Sequence, residues 1–421
     1  KYSLKAGDRA LIVNPFGIEF VVALLACMRI GVIAVSVYPP NPAKLNVDIP
    51  KLEHFVRDSG CGVALTTSKY KAMVKLSKLT RNWPSSLKWI ATNARKNMRV
   101  VDNELRVGVC QSDVALIQYT SGSTGDPKGI MITHGNIIHQ MEYLATLYTS
   151  KEPARIVSWT PQYHDMGLFG TFLYPLWSGG ETFALSPLDF LVDPPLWARC
   201  LVKYKATVTS APNFGFALTC SRLKAADMRY SCPSMNVCIM GAEPSDVTLL
   251  PVIEEFMGFN PRIVYNSYGL AEHTLLATSR GSSSLLHGGN NWSVGDIRFS
   301  RERGNVIVEI VQDGKPLGQG QAGEIWLSSG SVAAGYWGNS ELTLQTFHNT
   351  LANHPGRSFL RTGDLGVIQD GQLYICSRIK DLIIINGKNI SPRDVECAAE
   401  KPLYEYIRPG CSVAFQTSEN R

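Results

Sequence analysis

The apolar run Phe20-Val-Val-Ala-Leu-Leu-Ala-Cys-Met-Arg-Ile-Gly-Val-Ile-Ala-Val-Ser-Val-Tyr38 admits two structures that exclude each other. As one helix, it approaches the ~20 apolar residues that cross a bilayer. As two elements, it is a buried helix followed by a buried strand. Arg29 and Gly31 favour the second. A cation suits the last turn of a helix, where the carbonyl ends gather, and Gly takes the left-handed cap that stops it. Beyond Gly31, Val32–Val37 is rich in the stiff β-branched residues that suit strands. The alternation recurs. Ala10–Val13 and Gly62–Thr66 read as strands, with a polar helix near Lys51–Asp58 between them. Later come a strand at Arg155–Trp159, a helix around Leu196–Tyr204 and a strand at Ala206–Ser210. Such alternation gives an α/β fold with a mainly parallel sheet covered by helices. No transmembrane segment and no secretory signal are expected. Because the first residue is Lys1 and not Met, the natural chain is expected to start earlier.

Past Ser293 the texture changes to short β-rich pieces separated by Gly turns: Val306–Val311, Gly323–Ser328, Gly366–Ile368 and Gln372–Ile375. These predict an antiparallel β subdomain. The expected organisation is therefore helix-flanked α/β subdomains over 1–293, a β-rich subdomain over 294–380, and a hinge with the start of a small α+β domain over 381–421. A chain of 421 residues is longer than one core usually serves. The formal charge of +6 fits an anionic ligand, but no basic run interleaved with aromatics points to nucleic acid. Ten cysteines without any C-x-x-C pair exclude the usual metal spacing and suggest free thiols, hence a reducing, cytoplasmic setting.

The chemistry concentrates in Tyr119-Thr-Ser-Gly-Ser-Thr-Gly-Asp-Pro-Lys-Gly129, which follows the strand-like Val114–Gln118. Backbone N–H groups in a glycine-rich turn cradle phosphate oxygens, and hydroxyls and a lysine add donors and charge. The Walker A pattern G-x-x-x-x-G-K-[ST] does not fit, because Lys128 is followed by Gly129 and separated from Gly125 by Asp126-Pro127. Alone, such a loop is equally a surface linker.

Four further stretches accompany it: Trp159-Thr-Pro-Gln-Tyr-His-Asp-Met-Gly-Leu168, Asn266-Ser-Tyr-Gly-Leu-Ala-Glu272, Leu360-Arg-Thr-Gly-Asp364 and Ser377-Arg-Ile-Lys-Asp381. In order and separation the five resemble the adenylate-forming (AMP-binding) superfamily, and the resemblance runs along essentially the whole chain. Met240-Gly-Ala-Glu-Pro244, Ser331–Trp337 and Lys380–Asn389 look most like fatty acyl-AMP ligases. The resemblance implies the large N-terminal domain of that fold, with two helix-flanked sheets, a β-rich subdomain and a small C-terminal domain. It also implies ATP and Mg²⁺, and activation of a fatty acid to acyl-AMP with release of pyrophosphate. The acyl group would then pass to the phosphopantetheine thiol of an acyl carrier protein, often at the start of polyketide or lipopeptide assembly.

The same resemblance implies roles residue by residue. Thr120, Ser121, Gly122, Ser123, Thr124, Gly125 and Lys128 would hold the leaving phosphates, and Glu272 the metal. Tyr268, after which comes Gly269, would stack on adenine, and Gly241, Ala242 and Glu243 would line the adenine side, chiefly through backbone. Asp364 would accept the ribose hydroxyls, with Arg378 beside it. His164 would lie near the reacting carboxylate with Asp165 orienting it, although a lone His equally serves structure. The acyl tunnel would draw on Met166, Gly167 and Ser210–Phe216, for which apolar core is an equal explanation. Asp381 matches the hinge.

Two departures qualify the resemblance. The superfamily's adenylation lysine falls beyond Arg421, and neither Lys380 nor Lys388 stands in its place, so residues 1–421 alone are expected to adenylate poorly. The insertion that makes acyl-AMP ligases disfavour coenzyme A is short here, at Thr278–Trp292. An acyl-CoA synthetase and a non-catalytic module that binds adenylate or lipid remain the alternatives.

Overall fold

The computed structural model describes residues 4–94, 108–120, 127–148, 150, 152–281, 285–286, 291–385, 388–403, 406 and 411–417. The apolar run resolves into two elements. The helix Ile18–Arg29 buries Phe20, Val21, Ala23, Leu24 and Cys27. Ile30 and Gly31 return their N–H groups to Cys27 and Met28, and Gly31 turns the chain at φ 69°. Among the described residues no helix is long and apolar enough to cross a membrane.

The chain beyond Gly31 enters the first of three large sheets. This sheet holds β1 (Arg9–Ile12), β2 (Ile33–Ser36), β3 (Val63–Thr66), β4 (Lys88–Ala91), β5 (Val114–Tyr119) and β6 (Gly129–Thr133). Strands β4, β3, β1, β2 and β5 are parallel in that order, while β6 runs antiparallel to β5. The glycine-rich loop therefore joins the two arms of a hairpin, where a Walker A loop would join a strand to a helix. The second sheet holds β7 (Arg155–Ser158), β8 (Glu181–Ala184), β9 (Val208–Ala211), β10 (Val237–Met240), β11 (Val264–Gly269) and β12 (Leu276–Gly281), parallel except for β12.

The third sheet is antiparallel, as the short β-rich pieces implied. It begins with β13 (Ser293–Asp296), β14 (Ile307–Gln312), β15 (Lys315–Pro316) and β16 (Ala322–Ser328). The chain then leaves it to place β17 (Gly335–Tyr336) on the edge of the first sheet, against β6. It returns as β18 (Leu360–Gln369) and β19 (Gln372–Arg378). Strand β18 contains the whole Leu360–Asp364 motif. A register shift at Leu365/Gly366 and a left-handed Gly363 at φ 73° accommodate the turn-forming residues inside the strand. After Asp381 come the hairpin β20 (Ile383–Ile385) and β21 (Lys388–Ile390), then the helix Pro392–Glu400.

Apolar side chains from the first and third sheets share one core. The second sheet closes a separate core on its far face, rich in aromatics. There Trp159 stacks on Phe190 at 3.8 Å, and Trp197, wholly buried, sits edge-on to both at 6.2 and 6.0 Å. The indole N–H of Trp197 has no acceptor among the described residues. Its contribution is therefore volume and contact. Trp197→Ala should cost ~3–5 kcal/mol of stability, and Trp197→Phe should recover most of it. Urea unfolding checks this, and equal midpoints for the two variants would contradict it.

Candidate active site

The sheets meet around one cavity of about 1310 Å³. Its wall gathers residues from every motif. Thr120 and Lys128 stand at the two ends of the glycine-rich loop, joined by a hydrogen bond from Thr120 N–H to the Lys128 carbonyl at 3.2 Å. The loop ends are anchored on the helix Leu45–Ser59, where the Tyr119 hydroxyl donates to Asp58 at 2.5 Å and the His54 Nε2 meets the Pro127 carbonyl at 3.0 Å. Ser121, Gly122, Ser123, Thr124 and Gly125 lie outside the described residues.

Glu272 follows β11 on a short turn, and burial pushes its carboxyl upward against the opposing pull of Tyr336 and Lys128. The Tyr336 hydroxyl donates to Glu272 Oε1 at 3.0 Å, and the Lys128 ammonium lies 5.1 Å from the centre of the same ring. Tyr336 thus links the loop lysine to the buried carboxylate. Sequence reading placed it in a matching stretch and gave it no role. Its signal is the strand it occupies, which only the sheet pairing reveals.

Across the cavity, Asp364 on β18 and Arg378 on β19 face each other in register, with Arg378 Nε 3.2 Å from Asp364 Oδ1. The Tyr268 hydroxyl donates to the other carboxylate oxygen at 2.6 Å, which fixes the ring beside the acid. Burial raises the Asp364 carboxyl, and Tyr268 and Arg378 oppose the shift. Gly269 is required by contact: a Cβ there would come within 1.9 Å of the Leu275 carbonyl. Gly241, Ala242 and Glu243 line the same cavity. Ala242 is left-handed at φ 67°, and Glu243 Oε1 accepts the Phe214 N–H at 2.5 Å, which fastens this turn to a helix start.

His164 also borders the cavity and lies 2.5 Å from Asp165, Nδ1 to Oδ1. Asp165 caps the π-helical turn Met166–Leu173 through the Met166 N–H at 2.6 Å, so the carboxylate both orients the imidazole and starts the helix. The attraction of Asp165 raises the His164 pKa against burial.

Apolar residues form another part of the wall, with Leu144, Met166, Ile239, Leu275 and Val294 among them. Ser210 joins this wall, whereas Phe216 is wholly buried beside Trp197 and Phe214 packs on Trp159. Those aromatics belong to the core. Gly167 is likewise packed against backbone, its Cβ position 2.0 Å from the Pro161 carbonyl. Four buried atoms on the cavity wall, Ser36 Oγ, Tyr38 hydroxyl, Gln118 Oε1 and Ser245 Oγ, have no partner among the described residues. They are unassigned by sequence and fit a polar ligand, since buried polar groups are otherwise paired.

A phosphate ligand with Mg²⁺ fits this set. Among the described residues no cluster of three or more His, Cys, Asp or Glu could hold a metal by itself. Glu272, buried beside Lys128 and Tyr336, suits a Mg²⁺ that takes most of its oxygens from phosphate and water.

This arrangement defines a nucleotide-binding enzyme with an attached apolar channel, and the chain belongs to the AMP-binding enzyme family, whose model matches residues 2–337. Its relatives include fatty-acid ligases and adenylyltransferases. It is 33% identical to the medium-chain-fatty-acid–[acyl-carrier-protein] ligase JamA of Moorena producens (strain JHB), over 94% of this chain and 71% of that protein. It is 32% identical to the 4-hydroxyphenylalkanoate adenylyltransferase of Mycobacterium tuberculosis, over 99% of this chain and 71% of that one. Among solved structures, the fatty acyl-adenylate ligase from L. pneumophila in complex with acyl adenylate and pyrophosphate superimposes with a TM-score of 0.77 at 31% identity. That match covers 99% of this chain and 75% of that chain.

Two measurements test the geometry. A histidine whose pKa is raised in the fold contributes stability that is complete below its ordinary value of 6.5 and fades as pH rises through the raised value. Asp165→Asn removes the attraction and leaves burial unopposed, so an NMR titration of His164 should show its pKa fall. An unmoved titration would separate the pair. For Tyr336→Phe, losing one hydrogen bond to a charged group, ~1.5 kcal/mol, should lower the melting temperature and, with Glu272 no longer held, raise KM for MgATP about tenfold. Unchanged KM would leave Tyr336 a packing residue.

Proposed function

We propose that this chain activates a fatty acid with ATP, forming acyl-AMP and pyrophosphate, and passes the acyl group to the phosphopantetheine thiol of an acyl carrier protein. The observation that carries this reading is one cavity whose wall includes both the charged residues Lys128, Glu272, Asp364 and Arg378 and the apolar residues Leu144, Met166 and Ile239. In the reaction a fatty carboxylate oxygen bonds to the α-phosphorus while the bond to the bridging oxygen of pyrophosphate breaks. Lys128 and the loop before it hold the leaving pyrophosphate. Glu272, held by Tyr336, offers a ligand to Mg²⁺, which neutralises phosphate charge. Asp364 retains lone pairs for ribose hydroxyls after accepting from Tyr268 and Arg378. Tyr268 offers its ring to adenine, and Gly241, Ala242 and Glu243 border the same side. His164 stands near the reacting carboxylate. Positioning and charge neutralisation supply most of the catalysis in such phosphorus chemistry.

The relatives named for acyl-carrier-protein ligation support the carrier protein as acceptor. The short connection between Gly281 and Ser293 favours a second reading, transfer to coenzyme A, because a large insertion there is what the resemblance leads one to expect. All ten cysteines are free, and this supports a cytoplasmic setting.

Fatty-acid-dependent ATP–pyrophosphate exchange by the full-length protein tests the first half-reaction. Glu272→Gln should reduce the exchange by at least ~100-fold, the scale of losing a principal electrostatic stabiliser. Exchange that ignores fatty acid, or survives in the variant, would refute the assignment. Supplying holo-carrier protein and coenzyme A in parallel then decides the acceptor.

A further inference from the structure

The apolar part of the cavity wall has a neighbour. Along β10, Ile239 faces the main cavity, whereas Val237, two residues back, faces a second cavity of about 220 Å³. Along β9, Ser210 and Val208 divide in the same way. Residues two apart on a strand project from one face, ~7 Å from each other. The two cavities therefore lie in line down one face of the second sheet.

Tyr148 borders both. It follows the helix His134–Leu147, whose Leu144, one turn earlier, borders only the main cavity. Its ring is braced edge-on by Tyr174, with centroids 4.4 Å apart, and Tyr174 is 4% exposed and forms part of the second cavity's wall. Tyr148 is thus shared by the walls of the two cavities, and its ring is held by another side chain.

We propose that Tyr148 is the stop that limits acyl chain length, and that the second cavity is a continuation of the acyl channel which longer straight-chain fatty acids would enter once the ring is cut back. This rests on the reading that the main cavity holds the acyl adenylate. Leu144 guides the chain toward the stop, and Val208 and Val237 offer apolar surface beyond it. Thr207 and Asn236 make the far wall partly polar, so the gain per added methylene is smaller there than in the main channel.

The test is the affinity of non-reacting acyl-adenylate analogues of graded chain length, measured by calorimetry. The proteins compared are the unmodified chain, Tyr148→Phe, Tyr148→Leu, Tyr148→Ala, and Tyr148→Ala combined with Val237→Phe, each first shown by melting to be folded. The unmodified chain and Tyr148→Phe should share one length limit. Tyr148→Leu and Tyr148→Ala should shift it to longer chains, with roughly tenfold tighter binding of those beyond the original limit. Filling the second cavity through Val237→Phe should restore the limit. An unchanged limit in the folded Leu and Ala variants would overturn the stop. Affinity independent of chain length in the unmodified protein would overturn the acyl reading itself, and the stop with it.

Discussion

The hydrogen bond from Tyr336 to Glu272 exists because the chain leaves the third sheet after β16 and adds β17 to the first. Glu272 itself lies between two strands of the second sheet. One phenol thus joins three sheets at the point where a carboxylate and a lysine must be held together. The strand that carries it is fixed along its length. Tyr336 pairs with Ile130, its N–H donates to Thr343 Oγ1 at 2.9 Å, and its ring packs against Phe347 at 5.1 Å. Its neighbour Gly335 adopts φ 136° and sits so close to Thr343 that a Cβ would come within 2.3 Å. A short strand is stable here because tertiary contacts, not length, hold it.

Backbone strain collects at the same place. Thr274, a β-branched residue two positions after Glu272, is left-handed at φ 65°, a conformation that costs ~1–3 kcal/mol. The segment before β17 opposes that cost: Thr274 Oγ1 donates to the Ser331 carbonyl at 2.7 Å, and the Ala333 N–H donates to the Glu272 carbonyl at 2.9 Å. His273 between them is fully buried, its Nε2 meeting Ser329 Oγ at 2.7 Å, and burial pushes its pKa down to about 3. It acts as a neutral strut. The turn that aims Glu272 into the cavity is therefore held from the third-sheet side of the molecule.

Much of this was legible from residue types, and the limits have physical reasons. The break at Arg29 and Gly31 is local, so sequence resolved helix from strand without help. Asp364, Arg378, Tyr268 and Lys128 were identified by motif and do border one cavity. The hairpin direction of β5 and β6 was not legible, because residue pattern gives strand content and not strand direction. Phe214 and Phe216 were ambiguous for a similar reason: an aromatic in a core and one in a channel read alike until the neighbours are known. Tyr336 and Tyr148 owe their importance to contacts made far along the chain, at Glu272 and Tyr174, and no local pattern encodes those.

The electrostatics of the cavity point outward from the fold. Burial lifts the carboxyls of Glu272 and Asp364 above their ordinary values of 4.5 and 3.8, and Asp364 lifts Glu272 further. The unfolded chain then gives up these protons at lower pH than the folded one does. The sign follows: stability falls as pH rises from the ordinary carboxylate range through the raised values. Lys128, Arg378 and Lys380 oppose the shifts without cancelling them. A ligand that binds these acids in the charged form would oppose that cost. A cation beside Glu272 and hydroxyls on Asp364 would do this, and binding them would return stability by mass action. If phosphates, metal and sugar bind here as proposed, the arrangement trades resting stability for affinity.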